Sequence, residues 1–320
     1  MNIINIGGWY VGNTAVLDWM DGFQEISFVK GDFNIMRLED GIMDMINAPS
    51  KEIKIRMIEK NKKDFYVFFM RRIKFIVGRY TKNILKKKLN VNYDNIFSSQ
   101  KILYSYLNTY KVKVEQEIKF DEIVFWKEWL NKVSLIYSEE KDFKNTVYQN
   151  PFFYDETFSE HKYIWPKLLA PYKLMFVHRD PLDQFSDIVN SNSHLNVSWP
   201  RFHGGTENMH PADRFLAISK NIYNARLRMA DEYEGNQLVI FSFEDFLRDH
   251  NRITNKLEFF LEIEKERDSN NKRFVIEDSI KNIGKGKFNE EAIFLLKDKN
   301  YVMEEINHLR SKLINHSSSI

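Results

Sequence analysis

Residues 2–23 read NIINIGGWYVGNTAVLDWMDGF and predict a strand, a glycine-containing loop and a helix in direct succession. Three isoleucines form the strand, which ends at Gly7-Gly8, and apolar residues then recur at helical spacing. Thr14 offers a hydroxyl to the first N–H groups of that helix. Such a loop presents backbone N–H groups beside the positive end of a helix dipole, so it can hold a phosphate or sulfate. The alternative is an ordinary turn, in which the glycines serve without a ligand.

The loop departs from the Walker pattern of nucleoside triphosphatases. The run Gly12-Asn13-Thr14 lacks the lysine that reaches the β- and γ-phosphates. An ordinary ATPase or GTPase is therefore disfavoured, and a P-loop kinase remains an alternative.

Composition sets further limits. A chain of 320 residues, of which 43% are hydrophobic, can bury one sizeable core. We predict a single α/β domain over 1–320 with a helical insertion at about 37–140. The net charge of +2 argues against a nucleic-acid-binding protein that depends on overall charge. The absence of cysteine excludes disulfides, zinc thiolates and a thiol nucleophile.

The distribution of apolar and basic residues bears on location. The N-terminus enters the first strand without a basic segment and an apolar stretch, which predicts a cytoplasmic protein. The most apolar run, 65–70, is stopped by Arg71-Arg72 and is too short to span a membrane. We expect an amphipathic helix over 65–84, followed by the basic run Lys86-Lys87-Lys88. Its charges indicate a solvated face or, as the alternative, peripheral contact with the anionic inner face of a membrane or with an anionic glycan.

Alternating apolar segments predict the fold class. Strands are expected at about 2–6, 26–30, 144–149, 173–178 and 237–242, separated by helices that include 120–138, 211–234 and 290–314, with a polar break at 90–99. This alternation predicts a parallel sheet covered on both faces. Lys30 and Asp32 follow the second strand, and ligands bind beyond the carboxyl ends of such strands, so both are candidate site residues. The alternative for Asp32 is a loop carboxylate in solvent.

The second informative stretch, residues 172–188, reads YKLMFVHRDPLDQFSDI. It predicts a buried strand that passes into a helix with Pro181 near its start. Arg179 lies where the strand meets the helix and would add a fork of hydrogen-bond donors to an anion site. The alternative is a structural ion pair between Arg179 and Asp180.

Two loops complete the set of candidates. Residues 190–211 contain aromatic residues, Arg201 and His203, which favours a lid over an acceptor. The alternative for His203 is an ordinary surface histidine. Residues 279–287 read SIKNIGKGK, and two glycines among three lysines predict a mobile basic loop that closes on an anion. The alternative for the second loop is an exposed flexible segment.

Several of these motifs resemble those of sulfotransferases. The first loop is similar to their phosphosulfate-binding loop, G-x-x-[RK]-S-G-[TS]-[TS]. Gly12 matches the glycine, Asn13 and Thr14 stand at the two hydroxyl positions, Val11 replaces the serine and Tyr10 replaces the basic residue. The missing basic residue leaves open which group neutralises the leaving phosphate.

The unit around Arg179 resembles the family element that binds the donor's 3′-phosphate through an arginine and a serine. The family serine falls eight residues after the arginine, whereas Ser186 falls seven after and Asp187 eight. Ser279 and the Gly/Lys-rich residues after it are similar to a late loop over the 3′-phosphate, as in the bacterial branch. We take the resemblance to be to the carbohydrate-type enzymes.

The resemblance implies a P-loop-kinase-like three-layer fold and the donor 3′-phosphoadenosine 5′-phosphosulfate, without a metal. The acceptor would be a hydroxyl of a glycan, such as a polysaccharide precursor of the cell surface, or of a small molecule. Carried over, the donor-binding residues are Gly8, Trp9, Tyr10, Val11, Gly12, Asn13, Thr14 and Ala15 at the phosphosulfate, Arg179 and Ser186 at the 3′-phosphate, and Ser279, Lys285, Gly286 and Lys287 above it.

Sulfuryl transfer needs a base on the acceptor and positive charge on the leaving phosphate. Asp32 is the first candidate for the base and His203 the second, while Lys30 or a lysine of the late loop can replace the basic residue absent at Tyr10. A catalytically inactive relative that binds an anion or glycan remains an alternative, supported by Tyr10. The sequence leaves the oligomeric state open.

Overall fold

The computed structural model of the chain describes residues 1–7, 11–29, 40–63, 93–137, 143–149, 161–193, 209–233, 237–264 and 274–317. Five strands lie in one sheet in the order β2-β3-β1-β4-β5. They are β1 (Asn2–Gly7), β2 (Ile26–Val29), β3 (Asn145–Gln149), β4 (Tyr172–His178) and β5 (Leu238–Ser242). The all-parallel sheet confirms the predicted α/β class with a parallel sheet of about five strands, and each strand agrees with its predicted bounds to within one residue.

Helices follow the strands. They are α1 (Asn13–Met20), α2 (Ile42–Asn47), α3 (Tyr93–Glu115), α4 (Glu122–Tyr137), α5 (Trp165–Leu169), α6 (Pro181–Asn190), α7 (Pro211–Glu232), α8 (Phe243–Arg248), α9 (His250–Leu261), α10 (Ile276–Ile280), α11 (Glu290–Leu296) and α12 (Asn300–Ser317). Residues 51–63 are also helical, and Lys285–Phe288 form a 3-10 turn. Across the described ranges, every helix is too short or too polar to cross a membrane.

The register of the central strands places their carboxyl ends side by side. Gly7 of β1 pairs with Val177 of β4, and His178 of β4 pairs with Ser242 of β5. All five residues of β5 are buried, as expected for a strand covered on both faces. The segments that leave β1, β4 and β5 therefore begin at one edge of the sheet, where ligands bind in folds of this class.

Contacts divide the chain into two compact units. The first comprises residues 1–27, 142–160 and 171–320, and the second comprises 28–141 and 161–170. Within the second unit, the rings of Tyr110 on α3 and Trp126 on α4 lie 5.1 Å apart, and Lys54 binds Glu122 at 2.7 Å. The described helices of this unit fall in the region of the predicted insertion, except α5, which lies at Trp165–Leu169. That the chain is a single domain stays a prediction.

Three expectations about helices had different outcomes. The polar break predicted at 90–99 is wrong from Tyr93 onward, where α3 begins. Asn and Ser disfavour a helix only mildly, and the packing of α3 on α4 outweighs that preference. The predicted helix over 290–314 is divided into α11 and α12 near Asp298, whose φ is 62°. The basic amphipathic helix predicted over 65–84 lies outside the described residues.

Candidate functional site

The start of α1 is shaped by Gly12, the residue that precedes the helix. Its φ is 87°, a left-handed conformation that glycine adopts without steric cost. The N–H groups of Ala15 and Val16 donate to the Gly12 carbonyl. The expectation that Thr14 caps α1 is wrong: Thr14 is exposed within the helix, and no described side chain caps this end. That the start of α1 binds a ligand anion through its backbone N–H groups stays a prediction.

Phe243 connects this loop to Arg179. A β-carbon at Gly12 would lie 2.1 Å from Cδ2 of Phe243, so only a glycine leaves room for the ring. The Arg179 guanidinium lies 5.1 Å from the centre of the same ring, within the range of a cation–π interaction. Phe243 directly follows β5 and is 3% exposed. One buried ring thus contacts both segments that the sequence proposed as anion sites.

Arg179 belongs to a group of four residues, which we term the Arg179 cluster: Arg179, Asp187, Asn282 and Lys285. Arg179 is 3% exposed; one terminal nitrogen of its guanidinium donates to Asp187 Oδ2 at 2.6 Å and the other to the Asn282 carbonyl at 2.6 Å. Lys285 Nζ lies 2.5 Å from Asp187 Oδ1 and donates to Asn282 Oδ1 at 2.8 Å. The cluster brings two of the predicted 3′-phosphate residues together around one carboxylate.

Asp180 has a different role from the ion pair considered for it. Its Oδ1 accepts hydrogen bonds from the N–H groups of Leu182 and Asp183, both at 3.0 Å. It is therefore the N-cap of α6, as expected for an aspartate immediately before a helical proline. In the described part of the chain, Arg179 forms an ion pair with Asp187, one turn from the end of α6.

Ser186 lies apart from the Arg179 cluster. It is 1% exposed, and its hydroxyl accepts a hydrogen bond from Asn289 Nδ2 at 2.8 Å. Consecutive helical residues differ by about 100° in direction, so α6 directs Asp187 toward Arg179 and Ser186 toward Asn289. The residue eight positions after Arg179, where the resemblance calls for a serine, thus faces the arginine and is an aspartate.

The basic segment after α10 is an anchored turn, residues 284–288, which we call the Gly/Lys turn. The N–H groups of Gly284 and Gly286 donate to the two carboxylate oxygens of Asp183 at 2.6 and 2.8 Å. A β-carbon at Gly286 would lie 2.7 Å from the backbone of Leu182. In the structure this segment is a hydrogen-bonded turn, and that it moves to close on an anion stays a prediction. Lys287 is exposed, and Ser279 lies half-buried in α10.

A buried polar network lies below the same rim. Glu244 accepts from the N–H of Asp180 at 2.8 Å and from Arg310 at 2.9 Å, and Arg310 Nε donates to His178 Nδ1 at 3.1 Å. Burial, together with Arg310 and Arg226, lowers the pKa of His178 to about 3. His178 is therefore neutral near pH 7 and accepts the hydrogen bond. The network joins four separate elements, so no local motif in the sequence indicates it.

A cavity of about 880 Å³ borders the Gly/Lys turn. Its lining combines the edge strand β5 with parts of α6, α8, α9 and α12. Five cationic side chains contribute to it: Arg248, Arg252, Lys256, Lys287 and Arg310. Four carboxylates also line it: Asp180, Asp183, Glu244 and Asp245. Volumes of this size accommodate ligands as large as nucleotides, but the nearly balanced charges of the lining do not select an anionic one.

The remaining predicted residues are placed as follows. Val11, Asn13 and Ala15 accompany Gly12 at the start of α1, where Val11 and Asn13 are buried. Six residues lie outside the described ranges, so their roles stay predictions: Gly8, Trp9, Tyr10, Lys30, Asp32 and His203. Among the described residues there is no group of three His, Cys, Asp or Glu side chains that could hold a metal ion. That the reaction needs no metal stays a prediction.

Comparisons with known proteins give structural similarity only. No family model and no curated protein matches the sequence. The structure is similar to a sulfotransferase domain from the curacin biosynthetic pathway, at 10% identity and a TM-score of 0.42 over 82% of this chain and 74% of that one. It is also similar to the sulfotransferase domain of the Synechococcus PCC 7002 olefin synthase, at 9% identity and a TM-score of 0.43 over 100% and 93% of the two chains. These similarities concern the fold, and the carbohydrate-type assignment stays a prediction.

Proposed function

We propose that the protein is a sulfotransferase that moves the sulfuryl group of 3′-phosphoadenosine 5′-phosphosulfate to an acceptor hydroxyl. The observation that carries the proposal is the shared contact of Gly12 and Arg179 with Phe243. This contact joins the loop expected to hold the 5′-phosphosulfate to the arginine expected to hold the 3′-phosphate.

The chemistry asks for positive charge and orientation at two places on the donor. At the 5′ end, the backbone N–H groups that begin α1 and the dipole of that helix favour the leaving phosphate. At the 3′ end, Arg179 supplies a planar fork and Lys285 a point charge.

Acceptor activation is assigned to residues after β2 and in the predicted lid. In this proposal Asp32 takes the proton of the acceptor hydroxyl, with His203 as the second candidate, and Lys30 balances the charge of the leaving phosphate. The acceptor is a glycan or small-molecule hydroxyl, in the cytoplasm or at the inner face of a membrane. No metal and no nucleic acid takes part.

The Arg179 cluster favours a second candidate function. Arg179 and Lys285 already bind the carboxylate of Asp187. Two cations occupied in this way are expected in a relative that has lost turnover and binds an anion other than the donor. A kinase is the weaker alternative, because Gly12-Asn13-Thr14 lacks the Walker lysine.

Two measurements test the proposal. Calorimetry should show binding of 3′,5′-bisphosphoadenosine without magnesium, and weaker binding of ATP with magnesium. Turnover is then assayed with the sulfated donor and a panel of saccharide and small-molecule hydroxyls, with mass detection of the sulfated product. Preference for magnesium ATP would support a kinase. Tight bisphosphate binding without transfer to any acceptor would support the binding-only function.

A further inference from the structure

We infer that Asp187 occupies the 3′-phosphate position of the donor site and sets the selectivity between a 3′-phosphate and a 3′-hydroxyl. This inference rests on the proposed function. Asp187 was not among the predicted site residues, because the resemblance calls for a serine and Ser186 is the serine beside that position. The contacts of the carboxylate, described next, give it a role that a serine could not have.

Both oxygens of the Asp187 carboxylate bind the cations assigned to the phosphate. Oδ2 accepts from Arg179 at 2.6 Å and Oδ1 lies 2.5 Å from Lys285 Nζ. Asn282 supplies two further oxygens, its carbonyl to Arg179 and its Oδ1 to Lys285. Four protein oxygens thus surround the two cations in the way that phosphate oxygens would.

The position of Asp187 in α6 makes its carboxylate depend on those cations. It lies in the last turn of the helix, where the dipole is negative and disfavours an anion. Its side chain is 18% exposed, whereas that of Arg179 is 3% exposed. The partly exposed carboxylate can turn outward, while the buried guanidinium stays in place and receives another anion.

A 3′-phosphate must therefore displace Asp187 or bind beside a like charge, and either event weakens its binding. A 3′-hydroxyl meets no such repulsion and can donate a hydrogen bond to the carboxylate. Dinucleotide-binding folds make a comparable distinction, with an acidic residue at a ribose hydroxyl and an arginine at a ribose phosphate. In this protein the acidic residue, Asp187, and the arginine, Arg179, belong to the same site and bind each other.

The test compares two nucleotides that differ only in the 3′-phosphate. Calorimetry gives the dissociation constants of adenosine 5′-monophosphate and 3′,5′-bisphosphoadenosine for the wild type, Asp187→Asn and Asp187→Ser. The ratio of the two constants measures the preference for the 3′-phosphate. In both variants we expect this preference to rise by at least about tenfold, because a charged competitor for a charge-assisted contact is removed. The affinity for the monophosphate should stay equal or fall.

Asp278→Asn is the matched control. Asp278 is an exposed carboxylate of the neighbouring α10 that pairs with Lys281, so its loss removes one charge without touching Arg179. The preference should be unchanged in this variant. Asparagine is isosteric with aspartate, so Asp187→Asn decides the question if Asp187→Ser does not fold.

The outcomes separate the two proposals. Binding of both nucleotides with an unchanged preference in folded Asp187→Asn overturns the role of Asp187 and leaves the donor site intact. An equal rise of the 3′-phosphate preference in Asp278→Asn also overturns it, because the loss of any nearby negative charge would then explain the effect. If neither nucleotide binds to the wild type or to any variant, the donor site itself is refuted.

Discussion

Gly12 and Phe243 are separated by 230 residues, yet a β-carbon on the glycine would overlap the ring. Because β4 lies between β1 and β5 in the sheet, this contact crosses the carboxyl end of β4, which Arg179 directly follows. The spacing between the start of α1 and the Arg179 guanidinium is therefore set by an aromatic ring. A group that binds both segments must span this ring.

Gly12→Ala should destabilise the protein for two separable reasons. The left-handed conformation costs roughly 1–2 kcal/mol for an alanine, and overlap with Phe243 adds about 1–3 kcal/mol. Gly284→Ala is the matched control, since Gly284 has a φ of 78° and no atom within 4 Å of its β-carbon position. Urea unfolding should show the larger loss for Gly12→Ala. Equal losses would mean that the Phe243 ring moves aside at no cost.

Arg179→Ala should weaken the binding of 3′,5′-bisphosphoadenosine by at least about tenfold. A charge-assisted contact with a phosphate contributes roughly 1.5–3 kcal/mol, and a bidentate one lies at the upper end. Arg228→Ala on the exposed face of α7 removes the same charge and should leave calorimetric affinity unchanged. Wild-type affinity in a folded Arg179→Ala would refute the assignment of this residue to the donor.

Asp32→Asn should lower turnover by about 10² to 10⁴ while bisphosphate binding stays near that of the wild type. Asparagine keeps the size and most hydrogen bonds of the side chain but cannot take the acceptor proton. Steady-state transfer and calorimetry on the same preparation provide the two measurements. Transfer within a few-fold of wild type would move the base elsewhere, and His203→Asn is then the next variant to measure.

Protonation of His178 should make stability depend on pH in mildly acidic solution. Its pKa falls from an ordinary 6.5 to about 3 on folding, because the site is buried and holds Arg310 and Arg226 nearby. Between those values the unfolded chain binds a proton that the folded protein excludes. The free energy of unfolding therefore rises with pH through this window, by up to about 1.4 kcal/mol per pH unit.

His178→Asn should flatten this dependence when urea unfolding is compared between about pH 4 and pH 6. Asparagine can still accept the hydrogen bond from Arg310, which limits the direct loss of stability. His308→Asn, at an exposed position of α12, should keep the slope of the wild type. Identical slopes in all three proteins would show that His178 does not exclude the proton.

The sequence predicted the strands and the position of Arg179 because these depend on short-range patterns. A buried strand followed by Arg-Asp-Pro fixes where a helix begins, whatever the rest of the chain does. Asp187 could not be chosen over Ser186 in this way, since one residue of helical phase decides which of them faces Arg179. The same holds for Asp183, whose partners Gly284 and Gly286 lie about a hundred residues further along. Such pairings depend on tertiary packing, which spacing rules do not describe.

The two hydrogen bonds from the Gly/Lys turn to Asp183 also affect kinetics. Folding has already ordered this turn and placed Lys285, so a nucleotide need not wait for a loop to close before it meets the cation. In stopped-flow mixing, the observed association rate should rise linearly with nucleotide concentration, because only side-chain rotation on the picosecond to nanosecond scale remains. A rate that reaches a plateau would show that the turn must first open. If the rise is linear, the dissociation rate of the nucleotide, and not its access to Lys285, determines how tightly the donor is held.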